Sequence, residues 1–148
     1  MHMTIRVVFT GLMTVALATP VLASAPLSTV AEVTRALTAA GYTQVHEIER
    51  DDGLWEADVT RSDGRFAEVL VDPVAGEIFD AHDGRAVLDA GQVMARAAGH
   101  GLKDIRKLER DGATWKLEAR NAQNQPVEVR LSGVDGRILH SKRERWWD

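Results

Sequence analysis

GYTQVHEIERDDGLWEADVTRSDGRFAEVLVDPVAGEIF, residues 41–79, reappears sixty positions on as GLKDIRKLERDGATWKLEARNAQNQPVEVRLSGVDGRIL, residues 101–139, without a gap. Gly41 falls on Gly101, Glu49-Arg50-Asp51 on Glu109-Arg110-Asp111, Trp55 on Trp115, Glu68-Val69 on Glu128-Val129 and Gly76 on Gly136. Apolar character persists where identity does not, as at Val45 and Ile105, Ile48 and Leu108, Val71 and Leu131, and Phe79 and Leu139. A period this long describes a small domain rather than a solenoid repeat. The 148 residues therefore divide into two similar units, at 27–82 and 87–148.

Each unit opens with a helix. Thr29-x-x-Glu32 and Asp89-x-x-Gln92 have capping-box spacing at the same register, so each pair can satisfy two orphan N–H groups. Val30, Val33 and Leu37 form one helical stripe, Ala90, Val93 and Ala97 a thinner one. Gly41 and the stretch Gly99 to Gly101 supply left-handed stops. The period then changes to two. Trp55, Ala57 and Val59 alternate with Glu56, Asp58 and Thr60, and Ala67, Val69 and Val71 with Phe66, Glu68 and Leu70. The second copy repeats this through Trp115 to Arg120 and Val127 to Leu131. Such alternation marks strands with one wet face. The strands before them, Val45–Arg50 and Ile105–Arg110, carry apolar residues three apart, which calls for a bulge or a late start. Short last strands are expected at Ile78-Phe79 and Ile138-Leu139. Joints such as Asp51-Asp52-Gly53 and Asp111-Gly112 permit only antiparallel neighbours. The expected fold class is α+β: two tandem units, each a helix followed by a four-stranded antiparallel meander. Trp55 and Trp115, at the first inward position of equivalent strands, are expected in the two cores.

Arg6, the apolar run Val7–Ala18 and Pro20 read as a secretory signal peptide spanning residues 1–23, cleaved after Ala23. The chain has no cysteine, so export to a periplasm or beyond proceeds without disulfides. Residues 24–148 carry 17 basic and 22 acidic side chains, a balance that argues against nucleic acid and anionic lipid as partners.

The order Gly41-Tyr42, Val45, Ile48-Glu49, Asp52-Gly53, Trp55-Glu56, Val59, Asp63-Gly64, Glu68-Val69, Val71-Asp72-Pro73 and Gly76-Glu77-Ile78 resembles the PepSY domain. The second copy keeps Trp115, Glu128-Val129, Gly136 and Ile138 but has Ser132-Gly133 in place of Asp-Pro. The resemblance implies a secreted or periplasmic module of regulatory or inhibitory type and offers no catalytic residues to carry over. Tandem copies are similar in architecture to the proteinaceous β-lactamase inhibitors, whose two units present a joint concave surface.

The chain contains no Gly-x-Ser-x-Gly, no His-Glu-x-x-His and no cysteine nucleophile. Its Asp-Gly dipeptides lack the Asp-x-Asp-x-Asp-Gly spacing of calcium loops and read as turns. No enzyme, metal or cofactor is expected. The wet face of the first unit places Phe66 and Leu70 among Glu56 and Glu68, and the tail carries Trp146 and Trp147 beside arginines. These six are the candidate binding residues, for a protein or peptide partner in the periplasm, with Phe66 and Leu70 alternatively packing between units. The second unit's Lys116, Glu118, Arg120, Glu128 and Arg130 read as a solvated, mutually paired ladder. The rival reading is a small-ligand or metal sensor using the groove between units, with His82 and His140.

Overall fold

The computed structural model describes residues 25–145. The expected signal peptide with its cleavage point, and Trp146 and Trp147, lie outside the described residues.

The first unit is α1 (Val30–Ala39) followed by β1 (Gln44–Asp51), β2 (Leu54–Thr60), β3 (Phe66–Val71) and β4 (Ile78–Phe79). The second is α2 (Ala90–Gly99) followed by β5 (Lys103–Asp111), β6 (Thr114–Arg120), β7 (Pro126–Ser132) and β8 (Ile138–Arg143). Each set of strands forms a four-stranded antiparallel sheet in sequence order. The fold is thus α+β, two helix-plus-meander units in tandem.

Local chemistry sets the boundaries. Both capping boxes form: Glu32 N–H donates to the Thr29 hydroxyl while Thr29 N–H donates to the Glu32 carboxylate, and Asp89 and Gln92 repeat the exchange. Both helices end in a Schellman motif. Tyr42 N–H bonds Leu37 C=O across Gly41, and Leu102 N–H bonds Ala97 C=O across Gly101, with φ of 100° and 77° at the two glycines. The three-residue apolar spacing of the first strands is resolved as a register shift between Val45 and Glu47 in β1, and between Lys103 and Lys107 in β5. The Asp52-Gly53 turn has φ of 42° and 82°, the doubly left-handed arrangement that matches strand twist.

The helices cover the inner sheet faces. Val33 and Leu37 pack with Trp55, Ala57, Val59, Val69 and Val71 in one core, and Val93 and Ala97 with Trp115, Leu117, Ala119, Val129 and Leu131 in the other. Trp55 and Trp115 are 7% and 8% exposed. Each indole N–H donates to the carbonyl of a residue just before its helix, Leu27 at 2.8 Å and Leu88 at 3.0 Å. The shared tryptophan thereby ties the chain entering each helix to the sheet beneath it.

The last strands differ between the units, against expectation. β4 ends after two residues, whereas β8 continues for six. Past Phe79 the first unit turns inward. Asp80 takes two hydrogen bonds from Arg61 and one from the Tyr42 hydroxyl, and its carbonyl closes a turn with Asp83 N–H. Burial alone would raise the Asp80 carboxyl, but the Arg61 guanidinium, His82 N–H and Tyr42 hydroxyl overcome it and hold it at about 2. Among the described residues the second unit has no such anchor at the corresponding place, and His140 to Arg143 pair along β7.

Candidate functional site

The two sheets meet through parts of their outer faces, each receiving the β-hairpin tip of the other. Ala113, at the β5–β6 tip, packs on Leu54, Leu70 and Phe79, with Val87, Val134 and Leu139 around them. In the reverse direction Asp51, Asp52 and Gly53 of the β1–β2 tip lie on the second sheet. There Arg130 bonds Asp51 at 2.5 Å, Asp111 at 2.7 Å and Thr114 at 3.1 Å. Lys116 reaches Asp51 at 3.0 Å, and Lys142 reaches Asp52 at 2.8 Å. The Lys142 hydrogen bond, with Lys116 assisting against burial, holds the Asp52 carboxyl down at about 2. A side-chain carbon on Gly53 would stand 2.1 Å from His140 Nδ1. Arg137 completes the joint on Glu77 at 2.6 Å and Asp72 at 3.2 Å.

This geometry decides between the two readings of Leu70 and corrects one expectation. Leu70 is 3% exposed within the inter-unit cluster, so it takes no part in an open surface; its outward pleat position faces the other unit instead of solvent. Arg130 is 1% exposed. The Lys116 and Arg130 end of the second unit's charged ladder is therefore a receptor for the first hairpin rather than a solvated face. The repeat held the signal: Arg130 and Thr114 stand where the first unit has Leu70 and Leu54. Residues 27–82 carry 12 acidic and four basic side chains, residues 87–148 nine acidic and 12 basic, so the docked units complement each other in charge.

The rest of the first unit's outer face stays open. Cross-strand register places Glu49 opposite Glu56, Glu47 opposite Asp58, and Asp58 opposite Glu68. Glu47, Asp58 and Glu68 are all exposed and lie abreast on three neighbouring strands. Phe66 at the end of this face is 75% exposed, its ring 5.1 Å from that of His46. A concavity of about 340 Å³ is lined by His46, Asp58, Phe66, Ala67 and Glu68. A second, of about 420 Å³, bridges the units, with Glu49, Asp51, Glu56 and Glu68 on one side and Glu109, Arg110, Asp111 and Lys116 on the other. Burial, then the charges of Glu68, Asp51, Glu49 and Asp111, push the Glu56 carboxyl above its ordinary value. Glu56, Phe66 and Glu68 thus share one acid-rich face.

Among the described residues no group of three or more His, Asp or Glu side chains is arranged to hold a metal ion. His82 lies by Arg61, just past one end of β2, while His140 lies by Gly53, just before the other. Seven residues of strand separate those two ends, about 20 Å at strand rise, so the two histidines share no site.

The profile of the peptidase propeptide and YPEB domain family, a PepSY family, matches residues 3–82. The chain belongs to this family. PepSY domains are often regulatory or peptidase-inhibitor-like and are typically extracellular or periplasmic. No curated protein matches the chain. The PepSY match ends with the first unit, the one that carries the open acidic face, while the second unit, similar in its element order, supplies the cations of the joint. Among the described residues no helix is long and apolar enough to cross a membrane.

Proposed function

We propose that this PepSY protein is a non-catalytic binding protein, exported to the periplasm or beyond, which modulates a peptidase or a membrane-bound sensor. It acts through the outer face of its first unit, with Glu56, Phe66 and Glu68 as contacts and the tail residues Trp146 and Trp147 as additional anchors. The observation that carries this reading is the open sheet face where carboxylates on three strands flank a 75% exposed phenylalanine. An exposed aromatic beside unneutralised acids suits a partner surface that offers cations around an apolar contact. The second unit has a structural part in this: it covers Leu54, Leu70 and Phe79 and leaves the distal half of the face free.

Immobilised protein incubated with envelope extract of its source tests the proposal. Wild-type protein is expected to enrich a peptidase or a sensor ectodomain, and Phe66→Asp together with Glu56→Lys to lose it without any fall in melting temperature. Equal enrichment by the wild type and the double variant overturns the assignment of the face.

A further inference from the structure

The two units are alike until their last strand, and that difference leaves a vacant strand position in the first. In the second unit β8 runs along β7, with Arg143 opposite Val127, Lys142 opposite Glu128 and Ser141 opposite Val129. Glu144 N–H then donates to Pro126 C=O at 3.0 Å. The sixty-residue repeat maps Pro126, Val127, Glu128 and Val129 onto Phe66, Ala67, Glu68 and Val69 of β3. There β4 pairs only with Leu70 and Val71. Phe66 to Val69 have no strand partner on that edge among the described residues.

Backbone alternation says which groups are left open. Arg61 N–H bonds Arg65 C=O at the β2–β3 turn, so the next residue of β3, Phe66, directs its own N–H and C=O away from β2, and Glu68 does the same. Their equivalents Pro126 and Glu128 are the residues that β8 and Glu144 engage. Exposure follows the loss: Val127 is buried and Glu128 half-buried, whereas Ala67 is half-buried and Glu68 exposed.

Charge says what fits. In the second unit Glu118 and Glu128 lie abreast between two cations, Lys107 opposite Glu118 and Lys142 bonded to Glu128 at 3.0 Å. In the first unit the corresponding row is Glu47, Asp58 and Glu68, acid at every position, with the Lys142 place empty because the chain has turned inward at Asp80. We propose that the β3 edge at Phe66–Val69 is a strand-addition site for an extended, basic peptide segment of a partner protein. The segment runs antiparallel to β3 and places a Lys or Arg opposite Glu68. It contributes backbone hydrogen bonds to Phe66 and Glu68 and one cation beside Glu68 on the side away from Asp58, while Phe66 covers its outer side. Strand addition of this kind draws affinity from main-chain bonds and specificity from alternate side chains. The site rests on the binding function proposed above and names the partner's chemistry.

The probe is a capped synthetic peptide with the β8 sequence ILHSKRER, residues 138–145, titrated into 15N-labelled protein. Its addition is expected to slow amide exchange at Phe66 and Glu68 by tenfold or more near saturation. The same peptide methylated at the backbone nitrogen of the lysine corresponding to Lys142 is expected to lose this protection. That control leaves the protein's fold untouched. Glu68→Lys replaces a favourable cross-strand charge pair by a repulsive one and is expected to weaken binding by about two- to thirtyfold. Unchanged exchange at millimolar peptide overturns the proposal, as does equal binding of the N-methylated probe. Protection that grows with protein concentration in the absence of peptide overturns it in favour of pairing between two copies. A partner lost on Phe66→Asp with Glu56→Lys, yet leaving Glu68 amide exchange unchanged when bound, removes the strand-addition site and keeps the binding function.

Discussion

Arg130→Met removes the cation that seats the first unit's hairpin on the second sheet. The guanidinium is 1% exposed and bonds Asp51, Asp111 and Thr114. Breaking a fully buried ion pair from one side costs about 3–5 kcal/mol. Here the abandoned carboxylates are 30% and 27% exposed, and Lys116 stands 3.0 and 3.5 Å from them, so part of that cost is relieved by water and by the remaining cation. A loss of about 2–3 kcal/mol results, a large share of the roughly 5–15 kcal/mol that holds a domain together. At this chain length it amounts to a melting temperature lower by about 4–12 °C. Thermal melts followed by circular dichroism, with urea unfolding followed by tryptophan fluorescence, give both quantities. The deficit should persist in high salt, because a group so deeply buried is screened little. Asp51→Asn should cost less in the Arg130→Met background than in the wild type, since the two changes remove the same contact. A melting temperature within 1 °C of wild type, measured by either probe, would show that the two units do not lean on this arginine.

Other perturbations follow from the same geometry. Trp55→Ala empties the first core and should cost about 3–5 kcal/mol, whereas Trp55→Phe keeps most of the bulk and loses chiefly the bond to Leu27 C=O, about 1 kcal/mol; urea midpoints separate the two. Gly53→Ala must hold φ near 82° and displace the His140 ring, so it should lower the melting temperature, while Gly64→Ala, which meets no neighbour at a similar φ, should cost less. Asp52 and Asp80 titrate at about 2 in the fold, against about 3.9 in an unfolded chain. The stability they contribute is complete above pH ~4 and is lost as pH falls through 2; acid unfolding monitored by fluorescence should shift upward in pH for Asp80→Asn. Glu56 carries the opposite sign. Its folded carboxyl sits above the ordinary value, so the charged form opposes folding at neutral pH, and Glu56→Gln should raise the melting temperature at pH 7 but not at pH 3.

The repeat made most of the fold readable. Identical residues at Trp55 and Trp115, and capping pairs sixty residues apart, left one architecture that satisfied both halves. Local rules sufficed wherever the partner lay within a hairpin, which is why the helix ends, the bulged first strands and the tryptophan positions could be read directly. Long-range packing was less legible. Leu70 and Phe66 occupy the same kind of outward position in β3, and only the docked Ala113 distinguishes them. Alternation reports which side of a sheet a residue faces and is silent on what covers that side. Arg130 was hidden for a related reason: in a strand of alternating charges it resembles a solvated residue, and its burial depends on a hairpin 79 residues earlier in the chain. The early end of β4 depended on Asp80 finding Arg61 and Tyr42, contacts that no strand periodicity encodes.

The open edge can be measured without any partner. Amide exchange in the free protein should find Glu68 N–H close to the rate of an unstructured peptide and Glu128 N–H, bonded to β8, slower by orders of magnitude. Equal protection of the two amides would mean that the first unit's last strand is filled like the second's, and would contradict the claim that this face awaits another chain.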